Sequence, residues 1–209
     1  QPGIDILRRI PPRLKTLEAP VQPVVVDGSA QVYQAVAQTL RDLDNSYLAV
    51  QGPPGTGKTF VASHVIRELV EAGWKVGVVA QSHAVVENVL HKAIAAGVDP
   101  EAVAKEVKHK NPVPWHGTTK EDLSSVLSGS GGALIGGTAW TMTGSKVSAG
   151  SLDLLVIDEA GQFSLANTLA VSRAARNLLL LGDPQQLPQV TQGSHPQPVD
   201  ESALGWLSN

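Results

Sequence analysis

A three-layer α/β domain on a mainly parallel sheet, with helices on both faces, is the fold these 209 residues predict. Three observations carry that expectation. Strand-like and helix-like segments alternate from Asp27 onward, as right-handed crossovers between parallel strands require. Residues 154–157 and 178–181 are continuously apolar, as strands covered on both faces must be. A glycine-rich segment, Gly52-Pro53-Pro54-Gly55-Thr56-Gly57-Lys58-Thr59, stands between an apolar run and a helical pattern.

Residues 1–26 carry Pro2, Pro11, Pro12, Pro20 and Pro23 among short apolar runs, which predicts an extended lead-in or linker. A helix is then expected over 30–43, with Ser29 as its N-cap, followed by a strand over 47–51. The next helix runs over 58–72 and ends at Gly73. A strand over 75–80 leads to a helix near 84–96, closed by Gly97. Residues 98–131 break the rhythm and read as a small insertion, mainly helical. It holds a charged helical piece over 101–110, a turn at Pro112, Pro114 and Trp115, and a helix near 119–127. Strands return at 133–137, 152–158 and 177–182, with a helix near 165–176 between the last two. No internal repeat interrupts this order, so residues 27–209 are expected to form one domain.

The composition, 42% hydrophobic and 17% charged, is that of an ordinary globular chain. Cysteine is absent, which excludes a disulfide scaffold and a thiolate metal site and favours a reducing, cytoplasmic compartment. No histidine pair has metal-ligand spacing. No apolar stretch reaches the ~18–20 residues that span a bilayer, and Arg8-Arg9 precedes no signal core. The chain opens at Gln1 and its only methionine is Met142, so a fragment or processed product is expected. A formal charge of −3 means that any groove for nucleic acid must be local or completed elsewhere.

The glycine-rich segment satisfies G-x-x-x-x-G-K-[ST] in full. Its glycines let successive backbone N–H groups turn inward onto the phosphates of a nucleoside triphosphate. Lys58 neutralises the terminal phosphates in this reading, and the Thr59 hydroxyl ligates Mg²⁺. Asp158-Glu159 closes the apolar run at 154–157, where parallel sheets hold their ligands. Asp158 suits a magnesium ligand acting through water, and Glu159 suits the base that polarises the attacking water. A third strand end reads Gly182-Asp183-Pro184-Gln185-Gln186-Leu187-Pro188. There the Gln186 amide can donate to a phosphate oxygen and accept from water.

Taken together these segments resemble the first RecA-like lobe of superfamily 1 helicases. The branch is the one that includes the nonsense-mediated-decay helicase and helicases fused to RecB-like nucleases. The resemblance runs in order through Gln31, the loop Gly52 to Thr59, and Gln81-Ser82-His83-Ala84-Val85-Val86-Glu87-Asn88-Val89-Leu90. It continues through Gly137-Thr138-Ala139-Trp140, Asp158-Glu159-Ala160-Gly161-Gln162 and Gly182-Asp183-Pro184-Gln185-Gln186-Leu187, covering residues 27–190. It implies a RecA-like ATPase that uses ATP and Mg²⁺, with Gln31 recognising adenine and Gln34 as its rival. It also implies that Ser82, His83, Asn88 and Thr138 touch single-stranded nucleic acid, DNA in preference to RNA, with 5′ to 3′ movement. Trp140 is either a base-stacking residue or a core residue.

The family pattern further implies a second RecA-like lobe carrying an arginine finger, which this chain lacks, and in some members a fused nuclease. Arg173 and Arg176 read as surface charge, and Lys105, Lys108, His109 and Lys110 as a solvated helical face. Two other readings stand beside this one: a protein-remodelling AAA+ ATPase, and a module gated by nucleotide without productive hydrolysis. The glutamine turn disfavours the first, and Glu159 disfavours the second.

Overall fold

The apolar runs at 154–157 and 178–181 lie within two adjacent strands. A computed structural model describes residues 1–16, 32–107, 111–117, 120–186 and 195–208. The strands are β1 (Tyr47–Gln51), β2 (Lys75–Val79), β3 (Val103–Lys105), β4 (His116–Gly117), β5 (Ala133–Gly137), β6 (Leu152–Ile157) and β7 (Ala175–Gly182). They form one seven-stranded sheet in the order β1-β7-β6-β2-β5-β3-β4, and every pairing is parallel. β7 therefore lies between β1 and β6, in register Val50↔Leu181 on one side and Ile157↔Leu180 on the other.

Alternation along the central strands divides the core in two. Leu154, Val156, Leu179 and Leu181 face one layer with α2 (Val32–Asp42), α3 (Lys58–Glu71) and α4 (His83–Ala95). Leu155, Ile157, Leu178 and Leu180 face the other, with α1 (Pro2–Leu7), α5 (Lys120–Ser128), α6 (Ala139–Thr143), α7 (Leu165–Ser172) and α8 (Ala203–Ser208). All eight of these strand residues are fully buried. Each contributes roughly 1.5–3 kcal/mol relative to exposure, before the cost of ordering the chain. This is the expected three-layer α/β architecture.

Two expectations are corrected. Residues 2–7, read as part of an extended lead-in, form α1. Pro2 sits in the first turn, where its missing N–H costs nothing, and Ile6 is fully buried against α7. The segment is fastened by polar contacts. Arg13 pairs with the buried Asp5 at 2.7 Å, and the Tyr47 hydroxyl donates to the Ile10 carbonyl at 3.0 Å. Burial, aided by the Asp5 charge, pushes the Tyr47 hydroxyl up to about 12. At the other end of the chain, the Trp206 indole N–H is shared between the carbonyls of Ile6 (3.1 Å) and Leu7 (3.2 Å). The Arg9 guanidinium lies 3.8 Å over the Trp206 ring.

The second correction concerns the piece expected to be helical over 101–110. After one 3₁₀ turn at Pro100–Ala102, Val103–Lys105 pairs with β5, Val103 against Leu134 and Ala104 against Ile135. Sheet pairing of two apolar residues overrides local helical preference here. Lys105 is fully buried and pairs with Glu87 at 2.8 Å, so it belongs to no solvated face. Lys108, His109 and Lys110 lie outside the described residues. Arg173 and Arg176 are exposed, as expected.

Candidate nucleotide site and strand-binding edge

The glycine-rich loop leaves β1 at Gln51 and enters α3 at Lys58. Gly55 (φ 81°) and Gly57 (φ 83°) are left-handed, with open space where a Cβ would stand. Backbone conformation, not crowding, thus calls for glycine at both. Gly57 is the N-cap of α3 and offers no side chain, so no side-chain cap occupies the first N–H groups. Pro53 and Pro54 form the exposed outer turn, pinned where the Thr56 hydroxyl donates to the Pro53 carbonyl at 2.8 Å. The Lys58 ammonium folds over its own loop, donating to the carbonyls of Gly52 (2.5 Å) and Pro53 (2.7 Å). Thr59 follows in the first helical turn.

Backbone contacts tie three strand tips together. The Gly52 N–H donates to the Gly182 carbonyl (3.1 Å), and the Ala160 N–H donates to the Leu181 carbonyl (2.8 Å). The acidic and glutamine turns approach so closely that a Cβ on Gly161 would stand 2.0 Å from the Asp183 carbonyl oxygen. One on Gly182 would stand 2.8 Å from the Gly161 nitrogen. Beyond Gly182, the Asp183 carboxylate accepts from the Gln185 N–H (2.9 Å), and the Asp183 carbonyl accepts from the Gln186 N–H (3.2 Å). Lys58 and Thr59 thus open α3 after the loop that leaves β1, while Asp158, Glu159 and Gln186 follow the tips of β6 and β7.

Asp158 is only 7% exposed, and its carboxylate accepts the Glu159 N–H at 2.9 Å. Burial raises its pKa, against the opposing pull of that N–H and of the Lys58 and Lys92 charges. Glu159 is raised as well, by burial first and then by the Asp158 charge. Its backbone is left-handed at φ 54°, an uncommon conformation for a residue with a side chain. A carboxyl raised on folding keeps its proton to higher pH in the folded state than in the unfolded chain. Stability therefore falls as pH climbs from the ordinary carboxylate range through the raised value. Asp158→Asn, which keeps an acceptor for the Glu159 N–H but sheds the charge, is expected to stabilise the fold by roughly 0.5–2 kcal/mol at neutral pH. Urea unfolding at pH 7 and pH 4 checks this, and the gain should shrink at the lower pH.

The residues read as nucleic-acid contacts divide. Ser82 ends the β2 tip and caps α4, accepting the Val85 N–H at 3.3 Å. His83 begins α4 and is half-buried, while Asn88 is exposed on its second turn. Thr138 stands beyond β5, beside β2 in register Val79↔Gly137, at the N-cap position of α6, and its side chain makes no capping bond. Ser82, His83 and Thr138 thus share one sheet edge. Trp140 is 88% exposed, which removes it from the core. Gln31 lies outside the described residues; Gln34 is exposed on α2. Two residues at the site's rim escape a reading of the sequence. Phe60, 50% exposed beside Thr59, packs its ring 4.0 Å from His64, which neighbours Tyr33 at 5.0 Å. Gln81 joins β2 to the acidic turn. An aromatic next to the loop threonine is the only sequence signal for the first; the second opens the matched segment 81–90, but no role for it follows there.

Among the described residues no cluster of three or more His, Cys, Asp or Glu side chains could hold a metal. No helix among them is long and apolar enough to cross a membrane.

Residues 29–202 match the AAA domain family. The chain is 28% identical over 167 residues to the DNA replication ATP-dependent helicase/nuclease JHS1 of Arabidopsis thaliana, covering 77% of this chain and 12% of that protein. It is 30% identical over 155 residues to the DNA replication ATP-dependent helicase/nuclease dna2 of Schizosaccharomyces pombe, covering 71% of this chain and 11% of that protein. The chain thus spans only a small part of the length of the relatives it matches. A crystal structure of arterivirus nonstructural protein 10 (helicase) aligns over 90% of this chain and 38% of that one, with 21% identity and a TM-score of 0.49. With most of its length inside the matched region, the chain belongs to the AAA domain family, and within it to the superfamily 1 type of RecA-like lobe that its motifs anticipate.

Proposed function

We propose that this chain is the ATP-binding and hydrolysing lobe of a helicase or translocase that moves on single-stranded nucleic acid, DNA in preference to RNA. The observation that carries the reading is the backbone bonding of three neighbouring strand tips, Gly52 to Gly182 and Ala160 to Leu181. In this reading, Lys58, the two carboxylates Asp158 and Glu159, and Gln186 act together at the N-terminal end of α3.

The triphosphate occupies the inward N–H groups of the loop 52–59 and the first turn of α3. Lys58 exchanges its two loop carbonyls for anionic phosphate oxygens, a stronger partnership for an ammonium. The donor set at the tips, one buried carboxylate and one hydroxyl, fits a Mg²⁺ ion whose remaining ligands are phosphate oxygens and water. Asp158, through water, and Thr59 would hold that ion, which would neutralise charge on the phosphates. Glu159 accepts a proton from the water whose oxygen attacks the γ-phosphorus. The bond from that phosphorus to the β-bridging oxygen breaks, and ADP departs. The raised pKa of Glu159 suits a group that must take up a proton near neutral pH. The Gln186 amide orients the water. Gln31 reads the adenine, and Ser82, His83, Asn88, Thr138 and the exposed Trp140 line the strand.

Turnover by this lobe alone is slow, because a second RecA-like lobe supplies the arginine finger, a contribution of ~10³–10⁵ in rate. The relatives' names, which pair helicase with nuclease, support a fused nuclease beyond this lobe. Lys58→Ala is expected to weaken Mg-ATP binding at least ~10-fold by calorimetry while leaving the melting temperature unchanged, given that charge-assisted bonds contribute ~1.5–3 kcal/mol. Undiminished ATP affinity in that variant would remove the nucleotide site from this loop.

A further inference from the structure

Gln81 follows β2 and directly precedes Ser82, the cap of α4. Its half-buried side chain crosses to the neighbouring strand tip, where Nε2 donates to the Gln162 carbonyl at 3.2 Å. Gln162 in turn donates its N–H to the Glu159 carbonyl at 2.8 Å, and the Phe163 N–H donates to the same oxygen at 3.2 Å. Two hydrogen bonds therefore separate the start of α4 from the backbone of Glu159. That backbone sits in the left-handed region, which an L-residue with a side chain disfavours. A turn held in a disfavoured conformation by a few bonds responds when one of them shifts.

We propose that Gln81 is a positioning residue that couples occupancy of the Ser82 to Asn88 segment by single-stranded nucleic acid to the placement of the Glu159 carboxylate. This rests on the functional reading above. A strand bound at the N-terminus of α4 loads Ser82 and moves or stiffens the adjoining Gln81 backbone. The Gln81 amide passes that displacement to the Gln162 carbonyl and so to the turn bearing Glu159. Because coupling between two binding sites is reciprocal, nucleotide at the strand tips favours strand binding by the same factor. An amide suits this role, since it reaches the carbonyl as a donor and carries no charge into the field of the two carboxylates.

The test measures the affinity of the 209-residue chain for a Mg-loaded, non-hydrolysable ATP analogue, with and without saturating oligo-dT, and the affinity for oligo-dT with and without the analogue. The unmodified chain is expected to bind each ligand about 3- to 10-fold more tightly in the presence of the other, the scale of one hydrogen bond's net contribution. Gln81→Met and Gln81→Glu keep the length of the side chain and remove the donor. Both are expected to bring the factor to about one, and in Gln81→Met, which adds no charge, each separate affinity and the melting temperature stay put. A purely structural role would instead lower the melting temperature or both separate affinities together. If the unmodified chain couples its ligands and both variants do so equally, the role of Gln81 is overturned and the functional reading survives. Binding of both ligands without any coupling overturns the role as well. Failure of the unmodified chain to bind oligo-dT at all overturns the functional reading, and this inference with it.

Discussion

Single-turnover ATP hydrolysis by a Glu159→Gln chain is expected to be about 10²–10⁴-fold slower than by the unmodified chain, the usual contribution of a positioned general base. Affinity for Mg-ATP should stay within about twofold, because glutamine matches glutamate in size and leaves the loop 52–59 and Asp158 untouched. The left-handed turn is also retained, since the Glu159 carbonyl accepts from the Gln162 and Phe163 N–H groups whatever the side chain. The pH profile separates base loss from a general disturbance. With Glu159 present, the rate should climb as pH rises through a value above the ordinary carboxylate range, because burial and the Asp158 charge raise its pKa. As the two carboxyls titrate as a pair, that midpoint belongs to the pair. In the glutamine variant this limb should vanish. A module that senses nucleotide without hydrolysing it would show no difference between the two chains.

Gly161→Ala should have a large effect on the fold for a small chemical change. The added methyl would stand 2.0 Å from the Asp183 carbonyl oxygen, which is backbone and has no rotamer to escape into. The acidic turn and the glutamine turn must then separate. The expected loss is about 1–3 kcal/mol or more in urea unfolding, the range for forcing extra volume into a packed site. Hydrolysis should fall further than stability accounts for, because Glu159 and Gln186 stand on the two turns being pushed apart. Gly131→Ala is the control: nothing lies within 4 Å of a Cβ there, so stability should change by less than ~0.5 kcal/mol. Equal losses in both variants would show that the close approach does not hold the tips together.

These two predictions mark where reading the chain in one dimension stops. Residues 52–59 were legible because their spacing and their strand-to-helix setting are a local pattern. The strands at 154–157 and 178–181 were legible because burial on both faces leaves an unbroken apolar run. The glycines at 161 and 182 carried no such sign, since what demands them is another turn some twenty residues away in sequence. The left-handed backbone of Glu159 is likewise a product of the carbonyl bonds it accepts. Lys105 looked like a surface charge because its partner, Glu87, lies on a different element. Val103–Lys105 is too short to show a period, and only the edge of β5 makes it a strand. Proline density misled in the other direction, because Pro2 opens a helix that the later prolines argue against.

The hydrogen bonds of α8 give that short helix a mechanical meaning. Its indole grips the end of α1 through the Ile6 and Leu7 carbonyls, while the Ser208 hydroxyl receives the Gln51 amide at 3.3 Å, one residue before the phosphate loop begins. A pull on α8 is thus felt in two places at once. It strains the anchor to α1 and tugs the root of the nucleotide cradle, which makes this helix a lever arm with its fulcrum at Trp206.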